Sequence, residues 1–215
     1  MEPTALAALR RSYGLAGLDE ADVSPDPFAQ FERWLGDAVA AELVEPNAMV
    51  LATADGDGRP SARTVLLKGA GPDGFVFFTN YGSRKARELM TNPQASLVFP
   101  WTALERQVVV VGDAEPLDAA ANAAYFHARP HGHQVGAWAS RQSEVVASRE
   151  VLEAQFAAMT EKYPEGTSVA VPDFWGGFRV VATTVEFWQG RGNRLHDRIQ
   201  YRRDGAAWVV ERLSP

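Results

Sequence analysis

Short runs of strand-forming residues, each closed by a turn signal, constrain this chain more than any other feature. Met49–Thr53 and Ala62–Lys68 flank Asp55-Gly56-Asp57-Gly58, a strong hairpin signal because aspartate and glycine tolerate the backbone angles of a tight turn. Phe75–Thr79, Ala95–Trp101 and Gln107–Gly112 follow, the last with an apolar Val108–Val111 run suited to a buried strand. Phe178–Trp188, Arg198–Arg203 and Ala207–Leu213 close the chain, with the turn Asp204-Gly205 between the last two. Strands at this spacing do not alternate one-to-one with helices. They predict a mainly β fold with inserted helices, closed as a barrel rather than opened as a doubly wound sheet.

The helical segments are few. Asp26-Pro27 pairs a capping acceptor with a proline at the first helical position. Phe28, Phe31, Leu35, Val39 and Leu43 then recur at helical spacing. Ser83 begins a short helix that stops at Asn92-Pro93. Asp118–Ala128 ends before Pro130, and Ser148–Tyr163 carries Leu152, Phe156, Met159 and Tyr163 on one stripe. Residues 1–25 read as a mobile N-terminal segment, with at most a short helix around Leu6–Tyr13, and residues 26–215 as one domain.

The formal net charge of -6 argues against a surface built for nucleic acid, so any anion site needs a local concentration of arginine and lysine. Arg191, Arg194, Arg198, Arg202 and Arg203 form the only candidate RNA-binding stripe, and no basic tail supports it. The absence of cysteine excludes disulfides, thiolate nucleophiles and cysteine metal sites, and agrees with a reducing compartment. No run approaches the roughly 20 apolar residues of a membrane helix. Ala5–Leu9 is too short for a secretory signal, so the expectation is a soluble, cytoplasmic protein with no membrane partner.

The densest chemistry lies in Glu186–Arg198, which gathers three arginines, His196, Trp188 and Asp197 directly after an apolar segment. Arginine forks bind phosphate oxygens bidentately, histidine shares a proton near neutral pH, and tryptophan offers a flat apolar face. Such a set suits a small, planar, phosphorylated ligand. Arg194 and His196 stand at i and i+2, so an extended backbone would point both to one side and turn Leu195 toward the protein. Arg63-Thr64-Val65-Leu66-Leu67-Lys68 alternates Arg63, Val65 and Leu67 with Thr64, Leu66 and Lys68 across a strand. Phe78-Thr79-Asn80-Tyr81-Gly82-Ser83-Arg84-Lys85 runs from a strand into a helix, where backbone N–H groups and basic side chains make an anion site. It lacks the spacing of a Walker loop. Gln107 and the Gln142-Ser143 pair can read the edge of a heterocycle. Tyr125 and Arg129, at i and i+4, would share one helix face as a phosphate clamp. His127, His131 and His133 lie nearby, but Pro130 and Gly132 break the spacing a metal site needs, and no metal is expected.

These segments, in this order, resemble the motifs of the pyridoxamine (pyridoxine) 5'-phosphate oxidase family over nearly the whole chain, from about Arg10 to Pro215. The resemblance implies an FMN-binding split β-barrel with Greek-key topology, working as a homodimer with flavin in the subunit interface. It implies a cofactor set of Arg63, Thr64, Val65, Leu66, Leu67, Lys68, Phe78, Thr79, Arg84, Lys85, Gln107, Gln142, Ser143, Trp188 and Arg198. It assigns the substrate to Lys68, Tyr125, Arg129, His133, Arg194 and His196, with Arg194 and His196 at the reacting end. Arg10-Arg11-Ser12-Tyr13 resembles a segment that closes over bound substrate. The implied reaction is oxidation of pyridoxamine or pyridoxine 5'-phosphate by dioxygen to pyridoxal 5'-phosphate and hydrogen peroxide. Three positions depart from the family pattern. His133 stands where a phosphate-holding serine is common, Phe78 replaces a common tyrosine, and Val109 and Val111 replace a charged pair.

Overall fold

The computed structural model describes Leu9 and residues 12–215. Arg10, Arg11 and most of the expected Leu6–Tyr13 helix lie outside the described residues, and Ser12 and Tyr13 are not helical. The first strands are β1 (Ala48–Ala54), β2 (Pro60–Leu66), β3 (Gly69–Gly71) and β4 (Gly74–Asn80). They are followed by β5 (Gln94–Trp101), β6 (Arg106–Pro116), β7 (Trp175–Gln189), β8 (Asp197–Asp204) and β9 (Ala207–Arg212). The helices are α1 (Pro27–Ala40), α2 (Arg84–Thr91), α3 (Ala119–Ala128), α4 (His131–Ala139) and α5 (Arg149–Lys162). The strand order is β2-β1-β5-β6-β7-β4-β3, with β8 paired to β7 and β9 to β8. The register sets Phe77 opposite Phe178 and Trp188 opposite Arg198.

Contacts group the described chain into two compact units. The first takes in the described residues up to Val50, with Ser96–Val111 and Ala182–Pro215. Here α1 starts as the sequence predicts, with Asp26 accepting from the Phe28 and Ala29 backbone N–H groups. Its buried face is Phe28, Phe31, Trp34 and Ala38, while Val39 is 58% exposed. The 28/31/35/39/43 stripe is therefore rotated: Leu43 falls beyond the helix end, and Trp34 takes the central position. Trp34 meets the edge of Phe187 at 5.2 Å, and Phe31 packs on Phe99 at 4.8 Å.

The second unit comprises Leu51–Ala95 and Gly112–Val181. Its hydrophobic cluster of Phe126, Val135, Val169 and Trp175 is covered by residues that include Phe78, Tyr125, Met159 and Tyr163. Gly74 turns β3 into β4 at φ +129°, where any Cβ would strike the Val180 carbonyl oxygen at 2.3 Å, so only glycine fits. Helix α4 is absent from the sequence-based expectation. Pro130 caps it with a preset φ and Gly132 sits inside it, so residues that read as breakers open a helix instead. Helix α5 keeps its apolar stripe only half covered, with Phe156 44% exposed. No helix among the described residues is long and apolar enough to cross a membrane.

Candidate functional site

A cavity of about 720 Å³ opens in the second unit, within the range of small-molecule sites. Ser61, Ala62, Arg63, Thr64, Val65, Leu66 and Lys68 line one side of it. Phe78, Thr79, Arg84, Lys85, Tyr125, Arg129, His133, Gln142, Ser143 and Trp175 complete it. Most of the expected cofactor and substrate residues thus meet around one space. Leu67 is buried and does not line it. Gln107, Trp188 and Arg198 belong to the other unit.

Two cationic groups face this cavity. The first is Arg63, Arg84 and Lys85. Ser83 caps α2 by accepting from the Ala86 N–H, which turns the following Arg84 and Lys85 toward the cavity wall. Lys85 is 7% exposed and its ammonium donates to Thr79 at 3.1 Å and to the Gln142 carbonyl at 2.8 Å. Burial, then the neighbouring Arg63, presses its pKa down from 10.5 to about 8. Ser143, held at φ +72°, accepts from the Arg84 backbone N–H at 3.1 Å. The Gln142-Ser143 pair, expected to read the edge of a heterocycle, thus sits on the end of α2 through hydrogen bonds that the sequence does not display.

The second group is Lys68 and Arg129. The guanidinium of Arg129 lies 4.8 Å above the Trp175 ring and 5.5 Å from that of Phe126. Its Nη2 donates to the His133 carbonyl oxygen at 2.7 Å, while its Nη1 is buried with no hydrogen-bond partner. A buried donor left without an acceptor costs about 1–3 kcal/mol. Arg129 is not on the helix with Tyr125: it is the extended C-cap of α3, because the residue before a proline avoids the helical region. Both still line the cavity, where Phe78 stacks on Tyr125 at 3.9 Å and on Trp175 at 5.3 Å. Sequence reasoning missed Trp175. Its one signal was the Phe174-Trp175-Gly176-Gly177 run at the start of β7.

A second cavity, of about 620 Å³, lies in the first unit and is lined by Leu9, Ser12, Tyr13, Trp188, Arg191, Asn193, Arg194 and His196. Tyr13 meets Trp188 edge-on at 5.8 Å and His196 at 5.7 Å. Gly190 makes room for it, as a Cβ there would lie 2.7 Å from the Tyr13 ring. The buried carboxylate of Glu105 anchors the segment by accepting from the Gly14 and Leu15 N–H groups at 2.8 and 3.0 Å. Arg194 and His196 share this cavity, but not on an extended backbone. Asn193 and Arg194 occupy the left-handed region at φ +55° and +63°, and Leu195 is 69% exposed rather than turned inward. The Arg191 N–H donates to His196 Nδ1 at 3.1 Å. A neutral His196 ring therefore carries its proton on Nε2 and presents a donor. Arg198 is held bidentately by Glu186, at 2.8 and 2.9 Å.

The fold is that of the flavin-binding split barrels, as comparison with known proteins shows. The family model described as pyridoxamine 5'-phosphate oxidase matches residues 35–163, and that of the pyridoxine 5'-phosphate oxidase C-terminal dimerisation region matches residues 175–215. The chain belongs to the pyridoxamine 5'-phosphate oxidase family. It is 57% identical over 211 residues to a pyridoxine/pyridoxamine 5'-phosphate oxidase of Salinispora arenicola, covering 97% of this chain and 96% of that one. A Burkholderia multivorans protein of the same name is 56% identical over 215 residues, covering 99% and 100%. Among solved structures, PhzG from Burkholderia lata, in complex with tetrahydrophenazine-1-carboxylic acid, superimposes with a TM-score of 0.88 at 32% identity, covering 95% and 100%. A pyridoxamine 5'-phosphate oxidase-related, FMN-binding protein from Nostoc punctiforme shares the fold, with a TM-score of 0.72 at 18% identity, covering 90% and 100%.

Proposed function

We propose that this protein is an FMN-dependent oxidase that converts pyridoxamine or pyridoxine 5'-phosphate to pyridoxal 5'-phosphate. The observation that carries the reading is the pairing of two cationic groups in one cavity, with Arg129 Nη1 unpartnered in the second. One group suits the phosphate of FMN and the other the phosphate of the substrate. The residues fit a flavin mononucleotide: three cations stand at the capped end of α2, and no dinucleotide glycine fingerprint is present. Bound FMN would supply the redox chemistry, taking a hydride from the substrate's 4'-carbon and yielding hydrogen peroxide with dioxygen.

The chain's own work is binding and orientation. Lys68, Tyr125 and Arg129 would hold the substrate phosphate, so that binding energy far from the reaction positions the reacting carbon. His133 sends its carbonyl oxygen to Arg129 and lines the cavity where the family often has serine. Arg194 and the Nε2 donor of His196 would grip the reacting end, with Tyr13 closing over it. In this reading a homodimer sets the second cavity of one copy against the first cavity of its partner, in the cytoplasm. Sedimentation should show a dimer that carries flavin, and an active flavin-bound monomer would contradict the two-chain site. Mixing FMN-loaded protein with pyridoxine 5'-phosphate without oxygen should bleach the yellow colour and release about one pyridoxal 5'-phosphate per site. Retained colour with no aldehyde would overturn the reading. A phenazine-precursor oxidase is the second reading, favoured by the likeness to PhzG.

FMN affinity should also depend on pH. Without a bound anion, Lys85 loses its proton near pH 8. A phosphate dianion against it would raise that pKa, so binding takes up a proton at pH values above 8. Affinity should be flat below pH 8 and fall above it, by up to roughly tenfold per pH unit. Fluorescence titrations from pH 7 to pH 10 measure this, and the slope should vanish in Lys85→Met. A constant affinity across the range would contradict the assignment.

A further inference from the structure

We infer that Glu88 is a positioning residue that sets the phosphate-binding geometry of Arg63 and Arg84 from behind the cavity wall. The inference rests on the FMN reading of that cavity. Glu88 is 6% exposed on α2 and does not line the cavity, so it acts only through other side chains. Its two oxygens divide the work. Oε1 accepts from Arg84 Nε at 2.7 Å, which leaves the far end of that guanidinium for another acceptor. Oε2 accepts from Thr53 at 2.5 Å, from Ser61 at 2.6 Å and from Arg63 Nη2 at 3.4 Å. Thr53 accepts in turn from Arg63 Nη1 at 2.5 Å. One carboxylate thus ties β1, β2 and α2 together at the point where two arginines must lie side by side.

Two effects of Glu88 oppose each other. Its negative charge repels an incoming phosphate. It also allows Arg63 and Arg84 to stand together before any phosphate arrives, although Arg84 disfavours the charge on Arg63. Preorganisation dominates here because the carboxylate is saturated by four donors and stays ionised. Burial alone would raise its pKa, but the hydrogen bonds from Ser61, Thr53 and Arg84 outweigh that and hold it at about 2. A carboxylate so neutralised projects little field into the cavity, while losing it frees two long side chains.

The test compares FMN with riboflavin, which lacks the phosphate, by flavin fluorescence on apoprotein. Glu88→Gln should weaken FMN binding roughly ten- to a hundredfold while riboflavin affinity changes by less than about threefold. Thr53→Val is the second variant. Thr53 is buried and lies outside the cavity lining, and its near-isosteric replacement removes only the hydroxyl. It should weaken FMN selectively by roughly two- to tenfold. Circular dichroism confirms that each variant is folded, and Thr53→Val decides the matter should Glu88→Gln fail to fold. Unchanged or tighter FMN binding in a folded variant overturns the inference, as does equal loss of FMN and riboflavin. Wild-type protein that binds no FMN defeats the cofactor reading, and this inference with it. Wild-type binding with unaffected variants defeats the inference alone.

Discussion

Arg194→Ala and His196→Ala should each lower turnover of pyridoxine 5'-phosphate by roughly 10² to 10³ while FMN stays bound. The magnitude is that of losing one transition-state contact of about 2.7–4 kcal/mol. Both side chains line the cavity closed by Tyr13, and His196 presents its Nε2 donor because Nδ1 is taken by the Arg191 N–H. The alternative is that both are solvated residues on a turn after β7. Two consecutive residues in the left-handed region argue against that. Asparagine visits this region readily, but arginine does so at a cost. Steady-state peroxide formation on flavin-saturated variants measures the effect. Near-wild-type kcat/KM for both would mean that the reacting end of the substrate lies elsewhere.

The second large effect concerns the cofactor. Replacing Arg84 and Lys85 together by alanine should weaken FMN binding by roughly 10² to 10⁴. Each charged hydrogen bond contributes about 1.5–3 kcal/mol, and two are lost. Lys85 is the more informative of the two. Its ammonium is buried against the neutral oxygens of Thr79, Ser83 and Gln142, so the free protein holds it at a cost that a bound phosphate would relieve. Equilibrium titration of the apoprotein gives the answer, and an unchanged affinity in the double variant would remove the cations of α2 from the phosphate site.

Much of this arrangement is legible in the chain. The strands announce themselves because turn residues punctuate them, and Asp26-Pro27 marks the start of α1 to the residue. The motif residues from Arg63 to Lys85 converge because β2, β4 and α2 carry them at fixed spacing. What stays hidden depends on partners distant in sequence. Glu88 reads as one more acidic residue on a short helix, yet its acceptors serve Thr53 and Ser61, 35 and 27 residues away. Glu105 likewise looks like a loop glutamate until it receives the Gly14 and Leu15 N–H groups, 91 and 90 residues distant. Local rules also mislead at prolines. Pro130 was legible as the end of α3 but not as the start of α4, and it removes Arg129 from the helix without removing it from the cavity.

One comparison tests the central claim most directly: kcat/KM of the FMN-loaded protein for pyridoxine 5'-phosphate against that for tetrahydrophenazine-1-carboxylic acid. In the proposed reading the unpartnered Nη1 of Arg129, with Lys68 and Tyr125 in the same cavity, receives the substrate phosphate. A phosphate held by two charged contacts rather than none is worth roughly 10² or more in specificity. The account predicts that pyridoxine 5'-phosphate is preferred by at least that factor, and that the preference collapses in Arg129→Ala. Rapid oxidation of the phenazine acid with no turnover of pyridoxine 5'-phosphate would contradict it.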